Sequence, residues 1–266
     1  MKQERDLLRD AVIGELTQGS IFTGAVSSLY PDNKRILGII ISPRCDIAQD
    51  KVPLFYYLPV IPFDLWMQKE FPEIYIKRFK GDTLSSLQNA FKNNGISATL
   101  IGRFTIDDLK KVVESQVTKK KTLQGINDKL DIYKLIEDAS ITSDITKLKS
   151  KDKSLNRYNS ILTELAKGNM PDYYLFEKDE QEMFVIRMRE IKRLSPSVFH
   201  KLAEGIDKPF KKEELIDNDL STFSEGDIYM PLYVVNSPFI EHIMQHFLHL
   251  FNRIGIPDFP TDLIIK

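Results

Sequence analysis

The chain has 266 residues, of which 42% are hydrophobic and 28% are charged, so it can bury one large core or two smaller ones. Its 37 Lys and Arg nearly balance 38 Asp and Glu, which excludes a strong overall field for recruiting nucleic acid or an anionic membrane. The single cysteine excludes an internal disulfide framework. Charges throughout the N-terminal segment and the lack of a long apolar run predict a cytoplasmic protein without a leader or membrane span.

The N-terminal part begins with a helical pattern and then changes to β. Apolar spacing predicts an amphipathic helix over residues 3–17, which Gly19 ends. Between residues 19 and 63, three β-rich runs separated by turn residues predict a small twisted sheet or partial barrel. The run at residues 36–41 is almost continuously apolar, which is typical of a strand covered on both faces.

The middle of the chain, residues 64–168, is predicted to be mainly helical. A short strand is predicted at residues 97–104, and the polar, lysine-rich residues 140–156 are predicted to form a mobile loop because ordering them would bury little apolar surface. The predicted helices cover residues 84–93, 106–117 and 123–139.

Strand patterns return in the last third of the chain. Runs at residues 173–177 and 182–191, joined by an acidic turn, predict a hairpin, and residues 227–235 predict one more strand. Because isolated hairpins are marginally stable in water, these strands are expected to join the N-terminal sheet.

The last predicted helix, over residues 238–254, has the clearest amphipathic pattern in the chain. Its apolar residues recur at i, i+3, i+4 and i+7, which predicts that one face packs on the sheet. Gly255 is placed to cap it, with Pro257 and Pro260 just beyond.

These elements together predict an α+β fold with a discontinuous domain. Residues 1–63 and 169–266 are expected to form a small SH3-like or partly open β-barrel with terminal helices, of which the last is the C-terminal amphipathic helix. Residues 64–168 are expected to be an inserted helical region that carries the flexible lysine-rich loop.

A first group of candidate site residues follows the buried strand, where loops commonly hold functional groups. Cys45 would need a cationic neighbour to act as a nucleophile; Arg44 supplies one, but Asp46 opposes it. We therefore interpret Cys45 as a small buried residue, with catalysis as the alternative. Asp46 is interpreted as a turn cap or as a partner of Arg44 or Lys51.

Three histidines of the last predicted helix form a second group. His242, His246 and His249 lie at i, i+4 and i+7, a spacing that can bind a transition metal. Arg253 follows on the same side, and a fixed cation there lowers metal affinity. A solvent-facing or partner-facing stripe is therefore favoured, and no cofactor is predicted.

Lysines form a third group. Residues 105–154 hold 11 Lys but also 9 Asp and Glu, so their mean field is weak and a solvated face is the simpler interpretation. Lys147, Lys149, Lys151 and Lys153 are nevertheless the best candidates for phosphate contacts.

Two resemblances bear on function. The segments GIIISPRCDIAQDK and SPFIEHIMQHFLHLFNRIGIPD resemble uncharacterised bacterial proteins with a strand ending in Ser-Pro-x-Cys-Asp-Ile and a helix ending in Arg-Ile-Gly-x-Pro. Such proteins occur among mobile-element and phage-defence genes. GSIFTGAV, followed by a strand and a polar loop, is similar to the SH3-like barrel of the MazF and PemK toxins, a resemblance that implies an endoribonuclease.

The sequence lacks the P-loop, dinucleotide-binding, HExxH and GxSxG motifs. It therefore favours a non-catalytic binding or assembly component with a protein partner, and the resemblance implies that this component belongs to a bacterial defence-type system. The alternative is a nuclease that contacts nucleic acid through Arg44, Asp46 and the lysine-rich segment.

Overall fold

The computed structural model describes residues 6–31, 33–50, 52–179, 182–209 and 219–251. Helix makes up 49% and strand 19% of these described residues, so the protein is mixed α and β, which confirms the coarse fold class. It divides into two compact units: a β unit of Met1–Phe63 with Leu165–Lys266, and a helical unit of Asp64–Glu164.

The described residues form strands and helices with the following bounds. The strands are β1 (Leu8–Asp10), β2 (Ser20–Thr23), β3 (Leu37–Ile40), β4 (Phe55–Pro62), β5 (Tyr173–Asp179), β6 (Glu182–Arg187), β7 (Lys192–Leu194) and β8 (Pro231–Val235). The α-helices are α1 (Arg44–Gln49), α2 (Phe63–Asn93), α3 (Ile106–Gln116), α4 (Lys120–Thr142), α5 (Thr146–Lys151), α6 (Asn156–Ala166), α7 (Pro196–Glu204) and α8 (Phe239–His249). Short 3₁₀ helices lie at Ala98–Leu100 and Lys153–Leu155.

The strands of the β unit form one curled antiparallel sheet, a partly open barrel. Its order is β1-β8-β2-β3-β4-β6-β5, and β7 also pairs with β4. Strand β8 lies between β1 and β2, and β6 pairs with β4. The sheet therefore combines strands from both ends of the chain.

The centre of this sheet is its most apolar part. Strands β3 and β4 are buried along most of their length, as the continuous apolar runs predict. Helix α8 covers one face of the sheet with Ile240, Ile243 and Phe247, which lie at i, i+3 and i+7. The predicted hairpin is confirmed by the antiparallel pairing of β5 with β6.

The helical unit has its own core, built where three amphipathic helices meet. The residues that α2, α3 and α4 bury together are Leu87, Phe91, Leu109, Val113, Ile126, Leu130 and Tyr133. The predictions of helices at residues 106–117 and 123–139 are confirmed by α3 and α4.

The helix predicted at residues 3–17 is wrong over its described part. Leu8 pairs with Val235 and Asp10 with Tyr233, so this segment is an edge strand, β1. Val12, which belongs to the predicted apolar face, is exposed, and so is its neighbour Ile13. A short isolated helix is only marginally stable in water. Antiparallel pairing with β8, a strand remote in sequence, ties this segment to the sheet by backbone hydrogen bonds, and this outweighs the helical spacing.

Two further predictions in the helical unit are corrected. The strand predicted at residues 97–104 is instead a 3₁₀ helix, Ala98–Leu100, whose first turn is capped by Ser97. The helix predicted at residues 84–93 is only the last third of α2, which contains Pro72 in its interior. A proline inside a sequence normally indicates a helix break, so the part of α2 before residue 84 was not predicted as helix.

The predicted loop at residues 140–156 is also wrong, because the segment is largely helical. It contains the end of α4, all of α5 and the 3₁₀ helix Lys153–Leu155. Ile145, Leu148 and Asp152 are buried, while Lys147, Lys151 and Lys153 are exposed. Three buried residues therefore order a segment whose composition is otherwise polar.

The C-terminal elements differ from their predicted bounds. Strand β8 is shorter than the strand predicted at residues 227–235. Helix α8 ends at His249, and the remainder of the predicted helix, with Arg253, Gly255 and the following prolines, lies outside the described residues.

Candidate functional site

The segment after β3 forms the short helix α1, and its reactive side chains do not converge. Cys45 is exposed, so its interpretation as a buried residue is wrong; its Sγ lies 3.5 Å from Oδ1 of Asp46. The guanidinium of Arg44 is 3.8 Å from the carboxylate of Glu241 on α8, and Lys51 lies outside the described residues. This segment thus contributes a surface ion pair rather than an enclosed site.

The three histidines have different surroundings. Nδ1 of His242 is 2.9 Å from the hydroxyl of Tyr174 on β5, and the ring of His246 packs edge-on against the same tyrosine. His249 is exposed. The predicted solvated stripe is therefore wrong for His246, which packs against the sheet. Across the described ranges, no group of three or more His, Cys, Asp and Glu side chains gathers as metal ligands.

The four candidate lysines also separate. Lys147 is exposed, and Nζ of Lys149 lies 4.6 Å from the ring centre of Tyr158, a cation–π contact. Lys151 and Lys153 line a cleft of about 920 Å³ in the helical unit, within the size range of small-molecule sites. Two of the four candidate lysines therefore lie in the wall of this cleft.

We call this cleft, bounded by α2, α4 and the segment from α5 to α6, the basic cleft. Its cationic residues are Arg78, Lys129, Lys151, Lys153 and Arg157, and its carboxylates are Asp82 and Asp152. The hydroxyl side chains of Thr83, Ser86 and Ser160 also line it.

Asp152 is the structural centre of the cleft. Its side chain is 1% exposed and accepts hydrogen bonds from the backbone N–H groups of Arg157 and Tyr158 at 3.0 and 3.2 Å. It therefore caps the N-terminus of α6. The Tyr75 hydroxyl donates to the same carboxylate at 3.2 Å. Burial, and then the charge of Asp152, raise the pKa of Tyr75, which stays protonated as a donor.

Two arginines of the cleft are held by carboxylates. Arg157 pairs with Asp152 at 3.2 Å and with Asp82 at 2.7 Å. Arg78 forms a two-point pair with Glu164 at 2.6 and 2.5 Å. The hydrogen bonds from Arg78 hold the pKa of Glu164 below its ordinary value. Each of these carboxylates is therefore engaged in an ion pair within the protein.

The remaining cations of the cleft are lysines. Lys129, Lys151 and Lys153 have no ion-pair or hydrogen-bond partner among the residues that the structure describes. Since the arginines are neutralised by their carboxylates, these lysines supply the excess positive charge, which favours an anionic ligand.

The residues that α2, α4 and α6 contribute to the cleft were not predicted from the sequence. Arg78, Asp82 and Ser86 lie at four-residue intervals on one face of α2. This spacing is visible in the sequence if the helix predicted at residues 84–93 is extended toward its N-terminus. Lys129 and Arg157 come from separate segments, and only tertiary packing brings them to this face.

The β unit contains a separate polar cluster around Glu190. Its carboxylate accepts hydrogen bonds from the Ser27 hydroxyl at 2.8 Å and from Arg187, while Nζ of Lys192 is 3.5 Å away. The backbone N–H of Ser28 also donates to it. Burial alone would raise its pKa, but these hydrogen bonds and the charge of Arg187 outweigh it, and the pKa of Glu190 is lowered. The cluster joins the segment after β2 to the segment between β6 and β7.

We expect Glu190→Gln to lower the free energy of unfolding by about 2 kcal/mol at neutral pH, the usual value of hydrogen bonds to a buried charge. Folding lowers the pKa of Glu190, so its contribution is complete above the unfolded-state pKa and is lost as pH falls through the folded-state pKa. Urea unfolding from neutral to acidic pH should therefore show the two stability curves converging. Exposed Glu177, replaced by Gln, is the control, and a difference that stays constant with pH would contradict the expectation.

Comparisons with models of protein families, with curated proteins and with solved structures found no match to this chain. Among the described helices, none combines the length and apolar character that crossing a membrane requires.

Proposed function

We propose that this chain is a non-catalytic binding protein and that its basic cleft holds the phosphate groups of a nucleic acid. The observation that carries the proposal is the set of unpaired lysines, Lys129, Lys151 and Lys153, around one cleft of about 920 Å³ in the described helical unit. Ammonium groups bind phosphate oxygens as point charges, and hydroxyls such as Ser86 add hydrogen bonds.

The fixed ion pairs support binding rather than catalysis. Asp82 and Asp152 are engaged by Arg157, and Glu164 is engaged by Arg78. A general base must be free to take a proton from the reacting group, and these carboxylates instead accept hydrogen bonds within the protein. The arrangement provides a rigid wall from which lysines reach a ligand.

Finer features belong to the same proposal. We infer that the partly open barrel is SH3-like, that the protein acts in the cytoplasm with a protein partner, and that it serves a bacterial phage-defence system. The resemblance of residues 38–51 to mobile-element proteins supports that setting. A MazF-like or PemK-like nuclease is the alternative, which RNA cleavage abolished by Cys45→Ala or Asp46→Ala in a folded protein would establish.

The test is the anisotropy of labelled single-stranded RNA and DNA, each of about 12 nucleotides, measured at several salt concentrations. We expect Lys151→Ala with Lys153→Ala to weaken binding about tenfold. The plot of log affinity against log salt should become less steep by about 1.4, because each phosphate contact to a single strand contributes about 0.7 to the magnitude of the negative slope. Both lysines are exposed, so the fold should be retained.

The matched control is Lys77→Ala with Lys134→Ala, which removes the same charge from exposed helix positions outside the cleft. It should leave both affinity and salt slope nearly unchanged. Equal weakening by the two double variants, or wild-type protein that binds no nucleic acid at low salt, would refute the proposal.

A further inference from the structure

A second cleft, of about 660 Å³, adjoins the basic cleft and has a different chemistry. The two share Ser86 and Lys129, so they adjoin along α2 and α4, and we call the two clefts together the groove. We call the second one the amide cleft, because Asn89, Asn93 and Gln116 line it.

The amides of this cleft are available to a ligand. Asn89, Asn93 and Gln116 are exposed and have no hydrogen-bond partner among the residues that the structure describes. Each carries both a carbonyl acceptor and an NH₂ donor. This combination of one acceptor and one donor group matches the edges of nucleobases. Asn or Gln bound to adenine through two hydrogen bonds is a common form of base recognition.

The apolar part of the same cleft is formed by Val117 and Ile126, both buried. A nucleobase has apolar faces and a polar edge, so a cleft that combines this floor with amide side chains suits a base better than it suits a phosphate. The cationic side chains of this cleft, Lys119 and Lys129, can reach the adjoining backbone.

The two glycines within helices α2 and α4 supply an independent observation. Gly81 lines the basic cleft and Gly125 lines the amide cleft, and a Cβ added at either would meet no atom within 4 Å. Glycine inside a helix costs about 1 kcal/mol relative to alanine, and packing does not require it at these positions. The helix backbone is therefore open at both clefts, and a ligand can approach it closely there.

Resting on the proposed function, we propose that the groove binds single-stranded nucleic acid, with phosphates in the basic cleft and unpaired bases in the amide cleft. From Arg78 to Asn93, α2 spans about 23 Å at ~1.5 Å per residue. That length accommodates about seven stacked nucleotides at ~3.4 Å each. A duplex hides the Watson–Crick edges of its bases, so the groove should discriminate against it.

The test compares labelled homopolymers of A, C and U, a mixed-sequence duplex, and inorganic polyphosphate, all against the full chain. We expect one homopolymer to bind about tenfold more tightly than the others, since one good amide–base pair changes affinity by roughly 5-fold to 150-fold. The duplex and polyphosphate should bind more weakly than the preferred strand. RNA and DNA versions of that strand then establish which sugar is preferred.

Two variants address the amide cleft directly. Asn89→Ala with Asn93→Ala should remove the preference among homopolymers and leave the salt slope unchanged, because no phosphate contact is lost. Gly125→Leu should keep the protein folded, since its side chain enters open space, and weaken single-strand binding about tenfold by filling the cleft. Gln88→Ala with Asn159→Ala, exposed amides outside both clefts, is the control and should change nothing.

The outcomes separate the two proposals. Absence of nucleic-acid binding by the wild-type chain would overturn both. Salt-sensitive, lysine-dependent binding that is equal for all homopolymers and the duplex, and unaffected by Gly125→Leu and by the asparagine pair, would overturn this inference alone. Polyphosphate binding as tight as that of the best single strand would also overturn it.

Discussion

Replacing Gly38 with alanine is expected to lower the free energy of unfolding of the β unit by about 3 kcal/mol, the upper part of the range for overpacked cores. A Cβ at this position in β3 would lie 2.4 Å from the Phe22 ring and 2.9 Å from the Tyr57 ring. Both rings are fully buried and meet edge to face at 5.1 Å. The hydroxyl of Tyr57 accepts the N–H of Val26 and donates to the carbonyl of Asp219, so the Tyr57 ring is held in place.

Urea unfolding monitored by circular dichroism, with hydrogen exchange of β3 amides to assign the loss to the β unit, measures this effect. The control is Gly81→Ala in α2, where a Cβ has open space and stability should rise by about 0.5–1 kcal/mol. Adding Phe22→Leu to Gly38→Ala should cost less than the sum of the single changes, because the smaller side chain relieves the contact. Wild-type stability for Gly38→Ala would contradict the close packing of these two rings on β3.

Asp152→Ala should lower the free energy of unfolding of the helical unit by about 3 kcal/mol, the usual effect of removing one partner of a buried ion pair. The change removes the cap of α6 and leaves the Tyr75 hydroxyl and the guanidinium of Arg157 without this acceptor. Asp152→Asn keeps a cap acceptor and should lose about half as much, because the charge alone is absent.

The emission of Trp66, the single tryptophan of the chain, reports urea unfolding of the helical unit, since it lies on α2. Asp131→Ala is the control, because its pair with Lys110 at 2.5 Å is solvent-exposed. Exposed ion pairs contribute at most about 1 kcal/mol, so this variant should remain close to wild type. Equal losses for the two variants would show that burial of Asp152 has no special effect.

Strands and helices whose sequence pattern lies within a single segment were predicted correctly. The continuous apolar run of β3, the alternation of the β5–β6 hairpin and the amphipathic spacing of α3 and α4 each reflect contacts that their own residues specify. Segments whose structure depends on a remote partner were predicted wrongly. Strand β1 exists because β8 pairs with it, and α5 is ordered because Leu148 is buried.

The candidate site shows the same limit. Lys151 and Lys153 were identified from local charge, but the spacing of lysines could not separate them from Lys149, which lies over Tyr158. The partners of Arg78 and Arg157 include Glu164 and Asp82, each more than 70 positions away in the chain. Whether a cation is neutralised or free therefore depends on contacts that no sequence window contains.

The sequence by itself determined the mixed α and β class, the apolar centre of the sheet and the helical character of the middle region. Periodicity carries this information because a strand or helix must bury one side, and its own residues specify which side. Only the tertiary structure decided that Cys45 is exposed, which strands from the two ends of the chain pair with each other, and that a groove runs along α2 and α4. Burial and ion pairing are properties of residues distant in sequence, so they are established only when the chain has folded.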